Sequence, residues 1–486
     1  MGKEFYQKHL KIKDMDIDYL EEVPFIRFQS KIFGNRRVLS FYRQQVCLNE
    51  LKKFNDEKTE NWKKGLINVL KKIFSGIFFI PVFKKQLKGK ILKELVWGFN
   101  KEALVDNYLV DGKNLKEKDM VYYKSFNNTP GRKKAYIEAK KKGLKVVNPN
   151  RYFNLNKVVF YHIWYNFFCG IASFFSCLIH SRELLPQLAF FLGESNNFFR
   201  LFSLVDVDYY MGHDDRSGLV PTIVANIFDV RTFIYPWSDL TVCCKCDKQD
   251  IGYNDLFLWE KKVLDFQYSR NSCDNIFIIG CRFSDNYNKK SKNEIREKIG
   301  FPKDKKIVTF YDSSYSKKGM YSKEIYNDFI KVIKDFANKN PEFLVFIKPK
   351  GKVKKKYKDI LKKANVKILD SEKFFITDVI CSSDVNVGMG MNSTVTISLL
   401  CGVDGLYYDR TENIYHPLAK NKDVTFRDKE RLFNQIEDLL KGNKKLQKTK
   451  LINEPYLQDT ESIKLLHDYI LGKNIDKKFK LEKQGK

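Results

Sequence analysis

Arginine is scarce in this sequence. Of 88 basic residues among 486, 16 are Arg and 72 are Lys, set against 59 Asp and Glu. Arg is the side chain suited to bidentate recognition of phosphates and bases, so a formal net charge of +29 argues poorly for a nucleic-acid partner, and none is expected. Part of the excess reflects codon usage, because abundant Lys, Asn, Ile, Phe and Tyr are what an AT-rich genome encodes. The remaining positive field suits anionic substrates or an anionic membrane surface. Cysteine is sparse too. Ten in a chain this long are too few for a disulfide scaffold, and Met1–Lys13 lacks the apolar stretch of a secretory signal. A reducing cytosol is the expected compartment. Gly (25) and Pro (12) are too few for collagen-like or low-complexity architecture. There is no GKS/T P-loop. No second CxxC or HxxxH completes a zinc site around Cys243, Cys244 and Cys246, with only the lone Cys273 nearby. No metal or cofactor is expected.

What is present is enough hydrophobic residue, 43% with 15% aromatic, to build cores for two or three domains of about 150 residues each. Residues 1–117 form a basic, aromatic region. Within it Asn61–Phe99 alternates lysine pairs with Leu, Ile, Phe and Trp, which reads as helices lying on anionic lipid or packed against their own domain. Val158–His180 is long enough to span a bilayer, but His162, Asn166 and Gly170 favour a buried or docked helix. From residue 118 the pattern becomes strand–helix alternation. Residues 118–285 read as one Rossmann-like domain, 286–305 as a Lys-rich linker with a short helix, and 306–445 as a second Rossmann-like domain. A C-terminal helix and tail occupy 446–486. The fold class is α/β with parallel sheets.

Parallel sheets bind ligands at the carboxyl ends of their strands. In the second half the polar loops there hold Ser313 and Ser314, Lys348 and Lys350 around Pro349, and Gly390 with Asn392, Ser393 and Thr394. The last is the strongest signal. Glycine admits close backbone approach, and Asn-Ser-Thr at a helix start leaves N–H groups that attract anions. Asp409 and Glu412 could take ribose hydroxyls or cap a turn, and Ser382-Ser383-Asp384 could cap the element after it. In the first half His213, Asp214 and Asp215 follow a strand. Two carboxylates and an imidazole can supply a general base or a nucleophile, and Asp215 could equally cap the next helix. Asn127, Glu194 and Trp237 are the candidate acceptor contacts.

With those residues in hand, the chain resembles GT-B glycosyltransferases. The run Ser383–Gly388, Asn392-Ser393-Thr394, Leu399–Val403 and Leu406–Asp409 is similar to that family's donor domain, and Phe277–Gly280 with Asp285 to the end of its acceptor domain. Asp214-Asp215, Lys348-Pro349-Lys350 and Ser393-Thr394 look like the acidic, basic-Pro and hydroxyl motifs of bacterial transferases that use CMP-activated acidic sugars, of the Kdo and sialic-acid type. The His that those enzymes place beside Pro is absent. The resemblance implies two Rossmann-like domains facing a cleft, a metal-independent transfer, a nucleotide-sugar donor, and a lipid-linked or surface glycan acceptor. It also implies work in the cytoplasm, peripheral to the inner face of the membrane, in surface polysaccharide synthesis such as lipopolysaccharide or capsule. UDP-sugar GT-B enzymes and polyol-phosphate transferases fit the same pattern. A basic lipid-surface or nucleic-acid binding protein without catalysis is the reading from a different class.

Overall fold

The computed structural model describes residues 18–481, apart from 34–36, 55–60, 76–80, 83–85, 96–108, 111–112, 125, 127–128, 150–152, 155–166, 213–217, 237–250, 262–263, 265–270, 284, 286–290, 314–320, 351–364, 371–372, 391, 412–417 and 447–460. Two parallel sheets organise it. The first contains β1 (Ile91–Leu95), β2 (Met120–Lys124), β3 (Val146–Val147), β4 (Tyr209–Met211), β5 (Arg231–Ile234), β6 (Asp255–Leu258) and β7 (Asn275–Ile278). They stand in the order β3-β2-β1-β4-β5-β6-β7, each parallel to its neighbours. The second contains β8 (Ile307–Tyr311), β9 (Leu344–Lys348), β10 (Val366–Ile368), β11 (Val385–Met389), β12 (Asp404–Tyr408) and β13 (Thr425–Phe426). Their order is β10-β9-β8-β11-β12-β13, again parallel throughout. Both sheets therefore have the doubly wound Rossmann order, which reverses between β1 and β4 in one and between β8 and β11 in the other. Apolar runs such as Ile-Val-Thr-Phe-Tyr in β8, with all five residues buried, are what a sheet covered on both faces requires.

The helices are α1 (Pro24–Ile32), α2 (Arg37–Phe54), α3 (Trp62–Ser75), α4 (Pro130–Lys141), α5 (Cys169–His180), α6 (Leu185–Ser203), α7 (Leu219–Ile227), α8 (Lys292–Ile299), α9 (Lys323–Lys339), α10 (Ile376–Ser382), α11 (Ser393–Leu400), α12 (Lys429–Lys441) and α13 (Ser462–Ile470). Phe25 of α1, Phe41 and Tyr42 of α2, Val69 and Ile73 of α3, and Leu188 and Phe191 of α6 share one core with Val121, Tyr123 and Tyr210 of the first sheet. The N-terminal region is thus a helical layer on that sheet. It also supplies β1, so the first sheet begins upstream of residue 118. Ile-Leu-Lys-Glu-Leu is made largely of helix formers. It is extended because it is the strand from which the sheet winds both ways, paired with β2 over five residues and with β4 over three, and all five of its residues are buried. Pairing and burial outweigh local propensity here.

The expected linker holds α8, started by a reciprocal Ser291–Glu294 capping box and stopped by Gly300 at φ 73°. It is fastened to the amino edge of the second sheet. Asp384 accepts from Lys292 Nζ (2.8 Å), Arg296 Nη2 (2.8 Å) and the Ile307 N–H (2.7 Å). The C-terminal segment returns to the first sheet. There β14 (Lys480–Leu481) lies antiparallel beside β7, and the Ile463 N–H donates to Asp285 Oδ2 at 2.7 Å. The Tyr469 ring packs against Phe257 at 5.0 Å and Tyr209 at 5.6 Å. Its hydroxyl donates to Asp255, which Arg231 also grips with two hydrogen bonds of 2.6 and 2.8 Å. Among the described residues no helix is long and apolar enough to cross a membrane. Val158–Asn166 of the longest apolar run lies outside them.

Candidate functional site

The carboxyl edge of the second sheet gathers the loops that the sequence singled out. Strand register sets Tyr311 beside Lys348 and Gly388, and Met389 beside Tyr408. The segments that begin at Asp312, Pro349, Gly390 and Asp409 therefore leave the sheet side by side, two of them flanking the point where strand order reverses.

Asp312 is the clamp between the first two. Its Oδ2 accepts from the Tyr326 hydroxyl of α9 at 3.0 Å, and its Oδ1 accepts from the Lys350 backbone N–H. Ser313 beside it is buried, as is Lys348 at the end of β9, whereas Lys350 is exposed. The arrangement holds one lysine in the wall of the edge and one at its rim. Gly390 has φ +59°, and a Cβ there would lie 2.4 Å from Cε1 of Tyr321. The Tyr321 ring thus closes over Gly390 from the far end of the segment that starts at Asp312. Only glycine takes this backbone conformation without cost and leaves room for the ring.

Asn392 is the N-cap of α11. Its Oδ1 accepts from the Thr394 N–H at 3.2 Å, and its carbonyl accepts from the Tyr407 hydroxyl at 2.8 Å. The amide is committed to the cap, so Asn392 shapes the site instead of reaching a ligand. Ser393, half-buried, and Thr394, buried, stand in the first turn, where unsatisfied backbone N–H groups and the helix dipole favour an anion. Asp409 differs from the expectation of a ribose contact. It is fully buried, and its Oδ1 accepts from the N–H and hydroxyl of Thr411. It closes its own turn. The neighbouring Tyr408 hydroxyl donates to Asp328 of α9 at 2.9 Å, and burial together with that carboxylate pushes its pKa well above the usual phenol value. Asp384 lies at the opposite, amino edge of the sheet, where its ion pairs are structural.

In the first sheet β4 ends at Met211, Gly212 follows it, and α7 begins after Gly218 at φ 72°. The Tyr253 ring fills the space beside both. A Cβ would come within 2.1 Å of its hydroxyl at Gly212 and 2.3 Å of the ring at Gly218. The segment between these two anchored glycines carries His213, Asp214 and Asp215, which lie outside the described residues. So do Ser314, Glu412, Asn127, Trp237, Cys243, Cys244 and Cys246. Glu194 is half-buried on α6, next to Gly193, which packs on Lys72 of α3. It belongs to the helical layer and not to a strand end. Cys273 is fully buried. Among the described residues no group of three or more His, Cys, Asp and Glu could hold a metal ion.

Three features escaped the sequence reading. Asp312 was visible as the first residue after a strand, but its clamping role needs Lys350 and Tyr326 in three dimensions. Tyr321 meets Gly390 across 69 positions of sequence, with no local signal. At the reversal point of the first sheet, Glu94 is buried, 3.4 Å from Arg132 Nη1 and 3.3 Å from the Tyr123 hydroxyl. That acid sits in a segment that read as helix.

No curated protein matches the sequence. Among solved structures, the chain is similar to the wall teichoic acid polymerase TagF, at 10% identity over 90% of this chain and 96% of that one, with a TM-score of 0.45. It is similar to MurG of Acinetobacter baumannii at 11% identity over 79% and 99%, TM-score 0.41. A Listeria monocytogenes protein assigned as a UDP-N-acetylglucosamine 2-epimerase gives 11% identity over 80% and 96%, TM-score 0.43. Residues 248–436, under half of the chain, match the family described as "Polysaccharide biosynthesis PFTS motif protein". That stretch takes in every candidate from Ser313 to Glu412 and leaves out His213, Asp214 and Asp215.

Proposed function

We propose that this chain is a glycosyltransferase of polysaccharide biosynthesis, taking a nucleotide-activated sugar at the carboxyl edge of the second sheet and passing the sugar to a glycan or glycolipid. One observation carries the reading. Within the stretch that matches a polysaccharide-biosynthesis family, the Asp312 clamp, the Lys348–Lys350 segment, Gly390 and the start of α11 converge where strand order reverses. That is where doubly wound sheets bind nucleotides.

In this mechanism the donor phosphate rests on the first turn of α11 at Ser393 and Thr394. Lys348 or Lys350 offsets its charge as the bond between the anomeric carbon and the phosphate oxygen breaks, so that no metal is needed for the leaving group. The acceptor hydroxyl oxygen attacks that carbon, and Asp214 or Asp215 takes its proton. In a retaining course one of the two carboxylates attacks the anomeric carbon as the phosphate leaves, forming a glycosyl ester, and the acceptor hydroxyl then displaces that carboxylate while the other takes its proton. The donor assigned here is a CMP-activated acidic sugar of the Kdo or sialic-acid type, following the resemblance of the three motifs. The acceptor is a lipid-linked or surface glycan, met at the inner face of the cytoplasmic membrane.

A thermal-shift panel of CMP, CDP, UDP, GDP and ADP tests this, with wild type and a Ser393→Ala/Thr394→Ala variant. Asn392 is left intact to preserve the cap. A ligand at a hundred times its Kd stabilises the folded state by about 2.7 kcal/mol. The expected result is a rise with CMP that the variant loses. A rise with UDP alone keeps the transferase and replaces the donor. No rise with any nucleotide, in protein that melts cooperatively, overturns the donor site and leaves a basic surface-binding protein.

A further inference from the structure

Two helices of the N-terminal layer turn apolar side chains to solvent. On α5 and the residue before it, Phe168, Phe175 and Ile179 are 51%, 56% and 70% exposed. With the exposed Ala172 they recur at i, i+4, i+7 and i+11, which is one continuous stripe of a helix. The opposite stripe, Cys169, Ser173, Phe174 and Cys177, is the buried one. This helix is therefore apolar on both sides and buries only one. On α3, Val69 and Ile73 face the core, whereas Ile67, Leu70 and Phe74 are exposed at i, i+3 and i+7. The two helices touch. A Cβ on Gly170 would lie 3.3 Å from Ile73 Cγ1.

Charge identifies the partner. The α3 sequence, Trp-Lys-Lys-Gly-Leu-Ile-Asn-Val-Leu-Lys-Lys-Ile-Phe-Ser, contains no acidic residue. Lys63, Lys64 and Lys71 are exposed beside its apolar stripe. An exposed apolar stripe flanked by lysines on a helix too short to cross a bilayer is the form of an interfacial segment. The long lysine stems let the ammonium groups rise to headgroup level while the apolar residues sink. We propose that α3 and α5 form a docking face for an anionic lipid surface, with Phe168, Phe175, Ile179, Ile67, Leu70 and Phe74 entering the headgroup–acyl boundary and the lysines of α3 meeting the lipid phosphates. The proposal does not depend on the donor site.

The experiment uses the full chain with vesicles of phosphatidylcholine alone or mixed with phosphatidylglycerol, followed by co-sedimentation at low and high salt. Wild type is expected to sediment with phosphatidylglycerol vesicles and to do so less at high salt. Each lysine near such a surface contributes about fivefold to partitioning. Lys63→Glu/Lys64→Glu/Lys71→Glu should therefore lose more than about tenfold and retain only salt-insensitive binding. Phe168→Ser/Phe175→Ser/Ile179→Ser should lose binding at both salt concentrations. These side chains are at the surface, and unchanged far-UV circular dichroism confirms folding. Wild-type sedimentation indifferent to lipid charge overturns the proposal, as does binding that survives both triple variants. A self-associated species in sedimentation equilibrium that the Phe168→Ser/Phe175→Ser/Ile179→Ser variant dissolves would assign the face to a second copy of the chain and overturn it equally. Binding that follows both variants while nucleotide shifts are unchanged supports it.

Discussion

Gly390→Ala tests the geometry at the centre of the candidate site. Two costs follow from the structure. The residue has φ +59°, a conformation that costs an L-residue about 1–2 kcal/mol. Its new Cβ would also lie 2.4 Å from Tyr321 Cε1 and 2.9 Å from the hydroxyl, more than an ångström inside ordinary contact at the nearer atom. Relieving such an overlap costs about 1–3 kcal/mol. Tyr321→Ala removes the second cost and leaves the first. The pair therefore forms a double-mutant cycle with an expected coupling of about 1–3 kcal/mol. Because a two-domain chain need not unfold in one step, the readout should be local: hydrogen exchange of the amides of β11 and α11, in all four proteins of the cycle. Exchange should speed strongly in Gly390→Ala and much less when Tyr321→Ala is also present. Nucleotide titration of the same proteins should show Gly390→Ala weakening the ligand by about tenfold or more, since relieving the overlap with Tyr321 shifts the backbone that leads into the first turn of α11, where the phosphate would rest. Equal acceleration of exchange by Gly390→Ala in the wild-type and Tyr321→Ala backgrounds would refute the contact, and with it the closure of Tyr321 over the site.

Two further outcomes concern the frame around that site. Asp384→Ala removes the acceptor shared by Lys292, Arg296 and the Ile307 N–H and leaves Arg296 buried, so hydrogen exchange of the β8 and α8 amides should register a loss of local stability of about 3 kcal/mol. Burial raises the Asp384 pKa, but Lys292, the Ile307 N–H and Arg296 together hold it below its ordinary value. The stability it provides is present above about pH 4 and lost as pH falls further. Asp285 behaves in the opposite sense. Burial pushes its carboxyl up to about 6 against the N–H groups of Ile463 and Ser462, so the folded state holds the proton more tightly than the unfolded chain. Its contribution is full below about pH 4 and is lost as pH rises through about 6. Asp285→Asn keeps an acceptor for the Ile463 N–H and removes the titration. The difference in melting temperature between wild type and this variant should move in the variant's favour from pH 4 to 7. A constant difference would contradict the burial of that charge.

How much the sequence determined is clearest from individual elements. Segments with strong local character were legible. The α9 helix carries Tyr326, Phe329, Ile333 and Phe336 on one face behind the Ser322 cap, and β8, β11 and β12 are apolar runs bounded by polar loops. The hydroxyl and glycine residues at strand ends located the candidate edge, because a parallel sheet always presents that edge to ligands. Tertiary structure alone decided the rest. Ile91–Leu95 has helix-forming composition, and only its place between β2 and β4 makes it the strand from which the first sheet winds. Asn392 and Asp409 read as polar residues available to a ligand, and Asp384 as a cap on the element after it. The fold turns the first two onto their own backbone neighbourhoods and the third onto α8 at the far edge of its sheet. Asp312 and Tyr321 acquire their roles from partners dozens of residues away. A sequence records hydrophobic periods and capping preferences, which are local energies. Which polar group finds its partner inside the protein depends on distances that exist only once the sheets have wound.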